Sequence, residues 1–294
     1  MRQILYVFWQ LMRPHQYIKN TFVFAGVVFA HQWTWHILCH ASYIFIAFCC
    51  ISSSVYILND IIDIENDRHH PKKSKRPLPS GRIGIKSAFI ALLILLSIAV
   101  SFAYYISLNA VIFVGLYFVL NIFYSLHLKN IVILDVVTIS IGFMFRILAG
   151  TYGLHIMPSQ WILLCGLMVT LFLGFSKRFC EISALENTLQ KIGTTRPVLA
   201  DYTAALLERF MVICATCTIM CYGLYTTASE TLKTHNTDNL IYSLPIVTYG
   251  ILRYLYLVYT QKKGGDTSLD ILTDRHMYIT IIAWLCVIIG IFVW

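Results

Sequence analysis

Residues 42–67 read SYIFIAFCCISSSVYILNDIIDIEND, from Ser42 to Asp67. The part from Ser42 to Ile62 is long enough to cross a hydrocarbon layer of about 30 Å as a helix, and its one charge, Asp60, stands near the end. Working outward, eight more stretches of this kind fit: Ile18–Trp35, Ile85–Ile106, Leu108–Leu126, Ile131–Leu154, Gln160–Phe179, Ala204–Thr226, Leu240–Tyr259 and Tyr278–Trp294. The composition agrees, with 58% hydrophobic and only 12% charged residues, about half the charge of a soluble domain. A water-soluble globule and a disordered chain are both excluded. The sequence predicts an all-α integral membrane protein with about nine transmembrane helices in one domain, residues 18–294. Residues 1–17 precede it as an interfacial segment, in which Ile4, Leu5, Phe8, Trp9, Leu11 and Met12 stand between polar positions.

Lys and Arg total 22 against 14 Asp and Glu, a formal +8. The cations crowd the N-terminal segment and the loops after the second, fourth, sixth and eighth spans, whereas Lys233 is the only one in an opposite-side loop. Cytoplasmic loops are the basic ones, so the expectation is a multi-pass membrane protein with its N-terminus in the cytoplasm. The positive balance is thereby explained by topology and anionic ligands, not by nucleic acid. All nine cysteines lie in or beside apolar runs and read as small buried hydrophobes, including the pair Cys214 and Cys217.

The end of the quoted stretch carries the chemistry. At about 100° per residue, Asn59, Asp60, Asp63 and Asp67 fall on one helix face over about 12 Å. Clustered carboxylates repel unless a cation joins them, and Mg²⁺ binds through one or two carboxylates together with substrate phosphates. These four are the candidate metal ligands, and a metal-bridged diphosphate is the expected occupant. The competing reading is a solvated helix end paired with Arg68, Lys72 and Lys73. In the loop that follows, Lys73 and Arg76 are placed to donate to the remaining phosphate oxygens.

The pattern Asn59-Asp60-x-x-Asp63-x-x-x-Asp67, then Lys73-x-x-Arg76-Pro77-x-x-Ser80-Gly81, resembles the signature of the UbiA superfamily of intramembrane prenyltransferases. The resemblance implies nine transmembrane helices around a cavity open to the cytoplasm. Three further stretches are similar to the branch that makes decaprenylphosphoryl-5-phosphoribose from phosphoribosyl diphosphate and a polyprenyl phosphate. These are Arg13-Pro14-His15-Gln16-Tyr17-Ile18-Lys19-Asn20, then Tyr124 to Lys129 with Asp135, and Gly174 to Glu181. In the third, Lys177 and Arg178 stand where aromatic prenyltransferases of the superfamily carry a second acidic motif. Arg146, eleven residues from Asp135 and so on the same helix face, adds a further cation.

The implied function is Mg²⁺-dependent transfer of 5-phosphoribosyl from phosphoribosyl diphosphate to a polyprenyl phosphate, for cell-envelope precursors. The implied catalytic set is Asp60, Asp63, Asp67, Tyr124, Lys129 and Asp135. The substrate-binding set is Lys19, Asn59, Lys73, Arg76, Arg146, Lys177, Arg178 and Glu181. Lys19 reads equally well as a snorkelling anchor, and Lys177 with Glu181 as an i,i+4 ion pair. Two rivals stay open: transfer of a prenyl group from its diphosphate to an aromatic acceptor, and a transporter, for which inverted repeats are wanting. The loop Lys262–Arg275, with Asp270 and Asp274 four apart, is also similar to the branch. A monomer and a homo-oligomer are both compatible with the sequence.

Overall fold

A helix of 28 residues, Trp35–Ile62, carries the acidic stretch at its C-terminal end. The computed structural model describes residues 2–30, 33–69, 73–186, 197–261 and 273–293. In chain order the helices are α1 (Arg2–Met12), α2 (Ala25–Phe29), α3 (Trp35–Ile62), α4 (Ile64–Arg68), α5 (Ile85–Ile106), α6 (Leu108–Leu126), α7 (Leu134–Thr151) and α8 (Gln160–Glu186). They continue with α9 (Ala204–Thr227), α10 (Ser229–His235), α11 (Leu244–Gln261) and α12 (Arg275–Val293). No strand occurs among the described residues. Eight of these helices, α3, α5 to α9, α11 and α12, are long and apolar enough to cross a bilayer.

The count among the described residues is thus eight, not nine, because the stretch expected as the first span is not one helix. Residues Pro14–Phe24 wind as a 3-10 helix, α2 is only five residues long, and Trp35 already belongs to α3. Polar anchoring accounts for this. Along the 3-10 helix, Tyr17 bonds Ser53 at 2.9 Å, and Asn20 Nδ2 donates to Ser52 Oγ at 3.3 Å. A span facing lipid would leave those groups unsatisfied. The serine run of α3 is satisfied in the same spirit, by donating to carbonyls one turn back: Ser52 to Phe48, Ser53 to Cys49, and Ser54 to Cys50.

The chain divides into two compact units. The first comprises Met1–Val28, Gln32–Lys129 and Phe145–Met157. Its α3 is central, with 61% of its apolar window buried against 22% for α5 and for α6. Ile44, Phe48, Ile51 and Val55 pack on Ala99, Ala103, Val114 and Tyr117, while Phe89, Ile90 and Ile94 of α5 face outward. A second cluster joins Leu11 of α1 to Ile57, Leu78 and Leu92. The second unit comprises Phe29–His31, Asn130–Met144 and Pro158–Trp294. Its core includes Val136, Phe172, Phe175, Met211, Tyr254 and Leu257.

Gly150 of α7 lets the 3-10 helix approach closely, since a Cβ there would collide with the Val23 carbonyl, a backbone group that cannot rotate away. Gly150→Ala is expected to lower the melting temperature of the detergent-purified protein, by the equivalent of about 1–3 kcal/mol. Gly115→Ala, with open space around its Cβ, is the control expected to leave it unchanged.

Candidate active site

The helix carrying the acids does not continue through them. Asp63, at φ −94° and ψ 11°, ends α3 and begins the short α4, a backbone conformation outside the helical well. The one-face arrangement expected for Asn59, Asp60, Asp63 and Asp67 is therefore re-aimed at the third member. Asp60 and Asp67, both nearly fully buried, converge on a single nitrogen. Arg76 Nη1 donates to Asp60 Oδ1 at 3.1 Å and to Asp67 Oδ2 at 2.7 Å. Lys73 adds an ion pair to Asp67 at 3.4 Å. Asp63 instead accepts from Lys129 Nζ at 3.0 and 3.2 Å. Asn59 Oδ1 accepts from the Ser125 hydroxyl.

Asp60 has a second partner that sequence reasoning did not place in the site, Arg13, whose Nη2 pairs with Asp60 Oδ1. Arg13 sits in the left-handed region at φ 53°, directly before a proline. That conformation is costly for a non-glycine residue and is retained only where the surroundings enforce it. It turns the chain from α1 into the 3-10 helix and brings the guanidinium to Asp60. The signal was present in the Arg13 to Asn20 motif, but its partner is 47 residues away.

Asn20, in the same motif, is fully buried and accepts from Arg146 Nε at 2.8 Å. Arg146 Nη2 also donates to Tyr117 Oη at 3.0 Å, and its guanidinium lies 4.5 Å from the Tyr117 ring centroid. Arg146 is thus oriented in part by a buried amide and an aromatic ring. Lys19, on the 3-10 helix, and Tyr124, near the end of α6, are half-buried.

In the second unit Asp135 is fully buried. It accepts from Arg178 Nε at 2.6 Å and from the Tyr202 hydroxyl at 2.7 Å. Arg178 Nη1 donates to Glu181 at 2.6 Å, an i,i+3 pair. The charge of Arg178, a residue expected to bind substrate together with Lys177, is matched by two carboxylates, and Lys177 is half-buried. Tyr202 had no signal in the sequence. It accepts the Ile133 N–H at 2.6 Å and so pins a β-branched residue held at φ 69°, two positions before Asp135. Burial, then the bond to Asp135, raises the Tyr202 pKa, so the phenol stays protonated as a donor.

Of the C-terminal loop, Lys262 to Leu272, including Asp270, lie outside the described residues, as do His70, Pro71 and Lys72. Asp274 caps α12 by accepting the Met277 N–H at 2.9 Å and pairs with Arg253 Nη2 at 2.8 Å. The Arg253 bond, which outweighs burial, holds the Asp274 pKa at about 2. A depressed carboxyl pKa adds stability that is complete above the unfolded value near 4 and fades as pH falls toward 2. Arg253→Ala is expected to lose less melting temperature between pH 7 and pH 3 than the wild type does.

Whether the acids suit a divalent cation follows from their geometry. Two hard carboxylates converge on one point that a cationic nitrogen occupies, which fits a metal held by two protein oxygens plus substrate phosphate. No three His, Cys, Asp or Glu side chains among the described residues are grouped closely enough to hold a metal on their own. All nine cysteines are free thiols.

Residues 20–277 match the model of the UbiA prenyltransferase family. The decaprenyl-phosphate phosphoribosyltransferase of Corynebacterium glutamicum is 31% identical over 291 residues, covering 96% of this chain and 86% of that protein. The enzyme of the same name from Mycolicibacterium smegmatis is 30% identical, covering 93% and 88%. Among solved structures, a UbiA homologue from Archaeoglobus fulgidus bound to DMAPP and Mg²⁺ superposes with a TM-score of 0.72 over 97% of this chain and 98% of that one, at 14% identity. That likeness concerns the fold.

Proposed function

This chain belongs to the UbiA prenyltransferase family of membrane transferases, and from that premise we propose that it transfers 5-phosphoribosyl from phosphoribosyl diphosphate to a polyprenyl phosphate, releasing diphosphate, in the bacterial cytoplasmic membrane with the site facing inward. The observation that carries the reading is the convergence of Asp60 and Asp67 on Arg76, within a chain similar to decaprenyl-phosphate phosphoribosyltransferases over nearly its whole length. Asp60 and Asp67 are assigned to Mg²⁺, with Asp63 and Asn59 next to them in sequence completing the surround. Bound there, the ion would neutralise the leaving diphosphate, electrostatic help worth several kcal/mol.

Everything else is assigned to side chains of this protein. Arg76, Arg13 and Lys73, freed from the carboxylates, hold phosphate oxygens, and Lys129 exchanges Asp63 for the same purpose. Such an exchange keeps the buried carboxylates compensated before and after substrate binds. In the first unit Tyr124 is assigned to the ribose, Arg146 to the lipid phosphate and Lys19 to substrate binding; in the second, Asp135 is assigned to the ribose and Lys177 and Arg178 to the lipid phosphate, with Glu181 positioning Arg178. That phosphate is already ionised at pH 7, so attack on the anomeric carbon needs no general base.

Transfer of a prenyl group to an aromatic acceptor is disfavoured by the cations at Lys177 and Arg178, where a second acidic motif is wanted. The deciding experiment incubates detergent-purified protein with Mg²⁺, labelled phosphoribosyl diphosphate and a polyprenyl phosphate. Label is expected to enter the organic phase only when metal and lipid are both present. No transfer, with activity on polyprenyl diphosphate and an aromatic acceptor, would reverse the choice.

A further inference from the structure

In the first unit a cavity of about 720 Å³ opens between α1 and the loop before α5, lined among others by Tyr6, Trp9, Arg13, Lys75, Arg76 and Arg82. Four permanent cations line it and no carboxylate does. Arg13 and Arg76 are matched by Asp60 and Asp67. Lys75 and Arg82 have no ion-pair partner among the described residues and carry the net charge of the cavity. Arg82 is held in place by neutral acceptors, donating to Gln10 Oε1 at 2.8 Å, Ser80 Oγ at 3.1 Å and the Lys75 carbonyl at 2.5 Å. It ties the cationic loop to α1.

The α1 wall shows where the ligand comes from. Val7, Phe8, Leu11 and Met12 pack inward, whereas Tyr6 and Trp9 are each 60% exposed. Exposed Trp and Tyr on an amphipathic helix belong at the headgroup level of a bilayer, and unmatched Lys and Arg there attract anionic lipid. We infer that this cavity binds the phosphate of an anionic membrane phospholipid, seated on Lys75 and Arg82 beneath the Tyr6 and Trp9 edge. The cavity borders the proposed diphosphate site through Arg13 and Arg76, but the lipid assignment rests on Lys75 and Arg82, which have no part in that reading.

Native mass spectrometry of the full chain in neutral detergent tests it, with phosphatidylglycerol or phosphatidylcholine titrated in and inorganic phosphate as competitor. Phosphatidylglycerol is expected to bind at least about tenfold tighter than phosphatidylcholine, and Lys75→Gln and Arg82→Gln to weaken it about fivefold each. Phosphatidylcholine binding should not move. Equal phosphatidylglycerol binding by wild type and by the double variant overturns the site. Displacement by millimolar inorganic phosphate without a preference between the two lipids overturns the lipid source in favour of a soluble phosphate. Lys75 is exposed and its side chain holds no element in place, so Lys75→Gln alone carries the test if the Arg82 variant melts early.

Discussion

Asp60→Asn is expected to cut phosphoribosyl transfer at least about a hundredfold while leaving a folded protein. The amide keeps the shape of the carboxylate and removes its charge. In the resting protein the loss strands part of the charge of Arg13 and Arg76, whose side chains are 20% and 32% exposed. Water can therefore compensate, and the cost to stability stays near about 1–3 kcal/mol. In the reacting complex nothing compensates, because a neutral oxygen in place of a hard anionic one forfeits several kcal/mol of charge stabilisation at the leaving diphosphate. Asp67 shares the same nitrogen of Arg76, so Asp67→Asn is expected to fall equally far. The double variant should fall little further, since residues acting as one unit are not additive. The measurement is label transfer across a Mg²⁺ titration, with melting temperature recorded in parallel. An Asp60→Asn protein retaining more than about a tenth of the wild-type rate would remove the metal from this pair.

What the sequence disclosed and what it withheld divide along a physical line. Hydropathy is a local property, so the apolar blocks at Ile85–Ile106, Leu108–Leu126 and Ala204–Thr226 became α5, α6 and α9 with ends shifted by at most one residue. Residues 18–35 failed for a reason hydropathy cannot hold. Whether Tyr17 and Asn20 face lipid or reach Ser53 and Ser52 depends on a partner more than 30 residues away. The acidic face was read by extending helical periodicity past the point where the helix stops at Asp63, which moved one ligand onto Lys129. The cations were legible as residues but not as pairs: Arg13 finds Asp60, and Arg178 finds Asp135, through contacts spanning 47 and 43 residues. Tyr202 lay beyond reach altogether, since a tyrosine beside a loop carries no pattern of its own.

The second large effect concerns Asp135, where structural and chemical roles have to be separated. Asp135→Asn removes a charge partner from the fully buried Arg178, and the ion pair with Glu181 that stays is partly solvated, the Glu181 side chain being 29% exposed. Breaking one side of a buried pair costs about 3–5 kcal/mol, a large share of the 5–15 kcal/mol that holds a typical protein folded. The single variant is expected to melt far below the wild type or to be lost during purification, which says nothing about catalysis. Asp135→Leu combined with Arg178→Met removes both charges at similar volume, an exchange that is often neutral for stability. The melting temperature should then recover most of the loss, with Glu181 still reaching water and Tyr202 still accepting the Ile133 N–H, short of the wild-type value by the ~1–3 kcal/mol of a Tyr202 hydroxyl without its acceptor. In that rescued protein the two roles part. If the pair serves only the fold, transfer returns with the melting temperature. The proposed reading expects transfer to stay below about a tenth of wild type, because an apolar pair can neither orient a ribose hydroxyl nor face a lipid phosphate. Full activity in the folded double variant would take Asp135 and Arg178 out of the site and leave the lipid phosphate to Arg146 and Lys177.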